Sequence, residues 1–173
     1  MKALKNTKKL CTLAMLLAVA VVLGALSFRI GSGIKISFKF IPIFLSSVIF
    51  GPVCGGICGF LSDFLAYLFN PAGGAYLPQI GLVEALYGVS FGIFFYKASE
   101  LNKKSIVKII VCLFINTVLF SLLLMSFFLK DLMGMTFFNT LIMRIPSTVV
   151  NLLLHIGGIC VMLKAMPRIK KLL

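Results

Sequence analysis

Tryptophan is absent from the 173 residues, histidine occurs once, and acidic side chains number only four. With His155 alone, and with Cys11, Cys54, Cys58, Cys112 and Cys160 all inside apolar runs, no metal-ligand set can be assembled from the usual spacings. Thiols in apolar surroundings are inert, so packing accounts for these cysteines better than a metal or a disulfide does. Without tryptophan, any planar solute must stack on tyrosine or phenylalanine. There is also no HExxH, no Ser/His/Asp set, no paired carboxylates and no Walker A loop. The chain therefore reads as no enzyme and needs no cofactor. If it transports a solute, the energy comes from elsewhere.

Charge of either sign is scarce too, at 12% of residues, while 61% are hydrophobic and the mean hydropathy is +1.14. A soluble domain of this size cannot hide so much apolar surface, so the composition describes an all-α, polytopic membrane protein in one domain over 1–173. The formal net charge is +13, but the basic residues sit between apolar runs rather than on a face interleaved with aromatics. The membrane's own charge rule explains them, and nucleic acid is set aside.

Six spans are expected: 10–28, 40–50, 53–69, 80–96, 106–129 and 137–163. The first, behind Lys2, Lys5, Lys8 and Lys9, is long enough to cross a bilayer. It reads as a retained helix, with a cleaved signal ending near Ala25-Leu26-Ser27 as the alternative. Residues 29–39, RIGSGIKISFK, are too polar to span and form a short lid, with a possible strand in the alternating ISF. The second span is short, which suits a helix surrounded by protein rather than lipid. Gly51-Pro52 turns the chain, 70–78 is a loop of turn formers, and Pro146 is expected to kink the sixth span.

An even number of spans puts both termini on one side. With that side cytoplasmic, twelve of the seventeen basic residues lie inside, which supports the count. The other five, Arg29, Lys35, Lys39, Lys130 and Arg144, fall on or near the outer side. Cations that topology does not explain are candidates for holding an anionic solute.

Ionisable groups within spans are costly and usually face a cavity or a partner. Asp63, Tyr67 and Asn70 share a helix face at i, i+4 and i+7. Glu84 and Tyr87 share another, and Arg144, Asn151 and His155 a third. Converged, the three faces would make a pocket open to the outside, with Tyr76 and the other tyrosines near its mouth. The competing reading is a buried Asp63–Arg144 or Glu84–Arg144 pair that only locks the bundle, and an aromatic belt in place of stacking rings. His155 and Asn116 read as helix–helix hydrogen bonders. Gly51, Gly55 and Gly59, and again Gly88 and Gly92, are spaced to let helix backbones touch. Ala14 and Ala18 lay a smooth stripe on the first span that could pack internally or dock a partner.

The run KISFKFIPIFLSSVIFGPVCGGICGFLSDFLAYLFNPAGGAYLP resembles the substrate-binding S components of energy-coupling-factor (ECF) vitamin transporters, through its ISF strand, IP, FGP, glycine-rich helix with SD, and NP loop. ALYGVSFG in the fourth span and LIMRIP in the sixth extend the likeness. The resemblance implies a six-helix subunit of the bacterial cell membrane, both termini cytoplasmic, binding one vitamin near the outer face under the lid after helix 1. It implies as partners a transmembrane T component and two cytoplasmic ATPase subunits, with Ala14 and Ala18 as the docking motif. The pattern is most similar to the folate branch. On that basis Arg29, Lys35 and Arg144 would meet the ligand's carboxylates, Asp63 or Glu84 the pterin N–H donors, and Tyr67, Tyr76 and Tyr87 the ring face, with Asn151 beside them. Pantothenate or a pyrimidine precursor, and a stand-alone assembly or channel-like membrane protein, stay open.

Overall fold

The computed structural model describes residues 7–30, 34–69, 76–96, 103–134 and 136–172. Its order is α1 (Thr7–Ala25), β1 (Phe28–Ile30), β2 (Ile34–Ile36), α2 (Phe40–Phe50), α3 (Pro52–Phe69), α4 (Pro78–Phe95), α5 (Lys103–Phe114), a π-helical segment (Ile115–Leu124), α6 (Met125–Met133) and α7 (Phe137–Leu172). Five helical stretches among the described residues are long and apolar enough to cross a membrane, and α2 is a shorter apolar one. Because the backbone stays helical from α5 through the π segment into α6, these make the six spans expected.

The helices pack as two compact units. The first holds α1 to α4. Here α2 has 11 residues, about 16 Å of helix against a hydrocarbon core of about 30 Å. It tolerates that length because protein surrounds it: Phe40, Pro42, Ile43, Phe44, Ser46, Ser47, Val48 and Phe50 are all buried. Pro42 falls in the first turn, where its missing N–H costs no helical bond. Phe44 meets Phe91 and Phe95 of α4 edge-on, at 5.4 and 5.5 Å between ring centroids. Gly51 then turns the chain with φ +99°, a left-handed value that disfavours any side chain.

Lipid tails are as apolar as leucine, so burial alone does not hold membrane helices together; close backbone packing and polar bonds do. The glycines of α3 and α4 supply that packing. A Cβ on Gly88 would run into the backbone of Gly55, one on Gly59 into the carbonyl of Glu84, and one on Gly92 into Pro52. Ser47 reinforces the seam: its hydroxyl lies 2.7 Å from the Ile43 carbonyl and 2.8 Å from that of Gly88.

The second unit holds the hairpin and α5 to α7. β1 and β2 pair antiparallel with Arg29 opposite Lys35, and β2 runs beside α7. Asn116, at the start of the π segment, is fully buried and donates to the Cys112 carbonyl at 2.9 Å, a bond within its own helix. A π segment widens the helix and leaves bonds that local side chains can complete. α7 continues unbroken past Pro146, nine residues beyond the expected end at 163. Around that proline the hydroxyls of Ser147 and Thr148 both donate to the Arg144 carbonyl, at 3.0 and 2.8 Å. Such hydroxyls are one way a membrane helix accommodates a proline.

Candidate functional site

Two carboxylates are brought to one lysine in the first unit. Lys39 precedes the first residue of α2, Asp63 sits on α3 and Glu84 on α4. The Lys39 ammonium lies 2.7 Å from Asp63 Oδ1 and 3.0 Å from Glu84 Oε1. The glycine seam makes this possible. Gly59 is one turn before Asp63, and its lack of a side chain lets α4 approach at the backbone of Glu84 itself. On the other side, the Lys39 stem passes Gly24 of α1, where a Cβ would stand at 3.5 Å. The lysine side chain is 6% exposed, those of Asp63 and Glu84 12% and 22%, so the cluster is closed over the cation and partly open over the acids.

A buried ion costs several kcal/mol of desolvation unless paired, and here one ammonium faces two carboxylates. Burial pulls the Lys39 ammonium toward its neutral form; Glu84 and then Asp63 oppose this and prevail, so its pKa is raised and it stays charged. The cluster carries a net charge of −1 by this count. The second oxygens, Asp63 Oδ2 and Glu84 Oε2, have no hydrogen-bond partner among the described residues, and both side chains stay partly exposed. Two such acceptors facing one cation suit a ligand edge that donates N–H groups.

Aromatic rings stand beside them. Tyr76 packs against Phe64 and Tyr67 of α3, both at 5.2 Å between centroids. Its hydroxyl sits over Gly81 and, though buried, has no hydrogen-bond partner among the described residues. Burial pushes the Tyr76 phenol up, Asp63 adds to this and Lys39 partly offsets it. Tyr87, one turn after Glu84, is half-buried, and its carbonyl accepts from Ser90 at 2.8 Å.

Of the expected site residues, Asp63, Tyr67, Tyr76 and Glu84 lie in the first unit, where Lys39 is the ion-pair partner of both acids. Sequence reasoning counts Lys39 among the unexplained outer cations without placing it at the site. The signal was a lysine one residue before an almost wholly apolar helix, in a chain with just two acids inside its spans. Arg144 and Asn151 belong to α7 in the second unit and are half-buried; the Asn151 amide donates to the Ser147 carbonyl at 2.9 Å. Arg29 and Lys35 are opposed across the hairpin, and their side chains lie outside the described residues, as does Asn70. Ala14 and Ala18 are exposed on α1 with Met15, Val19 and Val22, a small-residue stripe open to lipid or a partner.

The profile of the family "ECF transporter, substrate-specific component" matches residues 8–163. A folate transporter FolT of Clostridium novyi (strain NT) is 38% identical over 102 residues, 58% of this chain and 56% of the relative. A FolT of Streptococcus mutans is 35% identical over 98 residues, 54% and 50% of the two chains, so the aligned part spans about half of each folate relative. The riboflavin transporter RibU of Staphylococcus aureus is 32% identical over 140 residues, 78% of this chain and 71% of the relative. Among solved structures, FolT bound with folic acid superposes with a TM-score of 0.76 at 29% identity, covering 88% of this chain and 90% of that one. The S component of a bacterial ECF transporter gives 0.61 at 28% identity, covering 86% and 91%. Bacterial relatives and apolar spans together make this a multi-pass protein of the bacterial cell membrane, and the family is one of transport subunits, not enzymes. The chain belongs to the substrate-specific components of ECF transporters.

Proposed function

We propose that this chain binds folate at the outer face of the membrane and delivers it through an ECF complex with a transmembrane T component and two cytoplasmic ATPase subunits. The observation that carries the reading is the likeness to FolT holding folic acid, across 88% of this chain. The chemistry of the first unit agrees with it. A pterin is flat, which suits the rings of Tyr67, Tyr76 and Tyr87, and it carries N–H donors along one edge, which suits Asp63 and Glu84. The glutamate tail carries two carboxylates, and Arg29, Lys35 and Arg144 are proposed as their partners, with Asn151 as a hydrogen-bonding neighbour. Each of these is proposed on its charge or amide alone. Ala14 and Ala18 are proposed as the stripe that meets the T component, since small side chains let helices approach closely. The six helices work as one domain with both termini cytoplasmic, and the ATPases supply energy that this chain has no means to release.

Riboflavin is the second reading, favoured by the longer alignment with RibU. The mass of the small molecule that co-purifies with the chain separates the two. Folate or a close derivative is expected; riboflavin, or no vitamin from cells grown with both, counts against folate.

A further inference from the structure

Two carboxylate oxygens lie within 3.0 Å of the same nitrogen, so Asp63 and Glu84 are close neighbours on adjacent helices. Like charges that near repel each other, and a cation between them offsets the repulsion. The Lys39 ammonium stands there, engaging Asp63 Oδ1 and Glu84 Oε1, while Oδ2 and Oε2 have no hydrogen-bond partner among the described residues. The arrangement is a pair of fixed, charged acceptors with a net surplus of one negative charge. It attracts N–H donors and repels carboxylates.

We propose that Lys39 is a positioning residue for the ligand. By bridging Asp63 and Glu84 and holding them in register, it makes them the receptor for the amino-bearing edge of the pterin, and so sets which end of a vitamin with one donor edge and one anionic tail lies against α3 and α4. This rests on the folate reading. Among the described residues of the first unit no other cation stands beside the cluster: Gly24 of α1 lies against the Lys39 stem, and Tyr76, whose phenol is pushed up by burial, packs on Tyr67 of α3.

The test is a binding titration of the purified full chain with folate and with 6-hydroxymethylpterin, which has the donor edge and no tail. Lys39→Met should weaken both ligands by the same factor, tenfold or more. Lys39→Arg should restore both to within a few-fold. A loss confined to folate would mean that Lys39 faces the tail, and unchanged affinity for both would mean that it only packs; either result overturns the inference. If Lys39→Met lacks a cooperative melt, Glu84→Gln carries the same comparison: an equal loss for the two ligands supports the inference, and a loss for folate alone, or none, overturns it. Failure of the unsubstituted chain to bind folate is seen before any substitution, and removes the folate reading together with this inference.

Discussion

Lys39 reaches Asp63 at 2.7 Å across 24 positions of sequence, and the same ammonium reaches Glu84 on the next helix. This one side chain ties the start of α2 to α3 and α4 through charge. Removing one member of a buried pair typically costs about 3–5 kcal/mol, because the other is stranded. The three members are not equivalent. Asp63→Ala or Glu84→Ala leaves one cation with one anion, whereas Lys39→Ala leaves two anions with none. Thermal melts in detergent, without ligand, should rank Lys39→Ala as clearly the most destabilised. Equal melting of all three would mean the cluster is too hydrated to matter.

The glycine seam makes a sharper contrast. A Cβ at Gly88 meets the backbone of Gly55, which cannot move aside as a side chain could, while a Cβ at Gly157 on α7 meets nothing within 4 Å. Gly88→Ala should therefore cost about 1–3 kcal/mol through overpacking. Gly157→Ala should be neutral, or stabilising by up to about 1 kcal/mol through helix propensity. Denaturation midpoints of the two variants check this directly, and a tolerated Gly88→Ala would contradict the close approach of α3 and α4.

Tyr76 carries a buried hydroxyl that has no hydrogen-bond partner among the described residues. Tyr76→Phe should leave the melting temperature of the ligand-free protein unchanged or slightly raised, since an unsatisfied group is removed. The sign of its pH effect follows from the raised phenol. The folded protein holds the proton more tightly than the unfolded chain, so the contribution is complete below the ordinary tyrosine value near 10 and fades as pH climbs through the raised one. The difference between Tyr76→Phe and the parent should widen in favour of the variant at high pH. No change with pH would place the phenol in water.

Ala14 and Ala18 are exposed on α1, ahead of its buried residues Ala20 and Val21. Ala14→Trp should abolish uptake in cells supplied with the partner subunits while leaving the vitamin affinity of the purified chain within about twofold. Intact uptake would assign the docking surface elsewhere.

Much of the fold was legible because bilayers impose simple rules. α2 falls on 40–50 as expected, and α3 and α4 begin within two residues of expectation, because Gly51-Pro52 and Pro78 punctuate the apolar runs. Asp63 and Glu84 stood out in the sequence because charge inside a span is rare. What was not legible depends on three dimensions. That Lys39 pairs with residues 24 and 45 positions away follows from how α2 is embedded, which no local pattern encodes. The π segment has no periodicity signal of its own in a run as uniformly apolar as 115–124. The extension of α7 to Leu172 was hidden because basic residues mark the end of a span and not the end of a helix.

The central claim is that the site takes folate. Competitive titration of the purified chain with folate and riboflavin, each displacing the other, tests it most directly. The account predicts folate bound at least a hundredfold more tightly, with riboflavin unable to displace it at equal concentration. Riboflavin binding as tightly as folate, or more tightly, would contradict it.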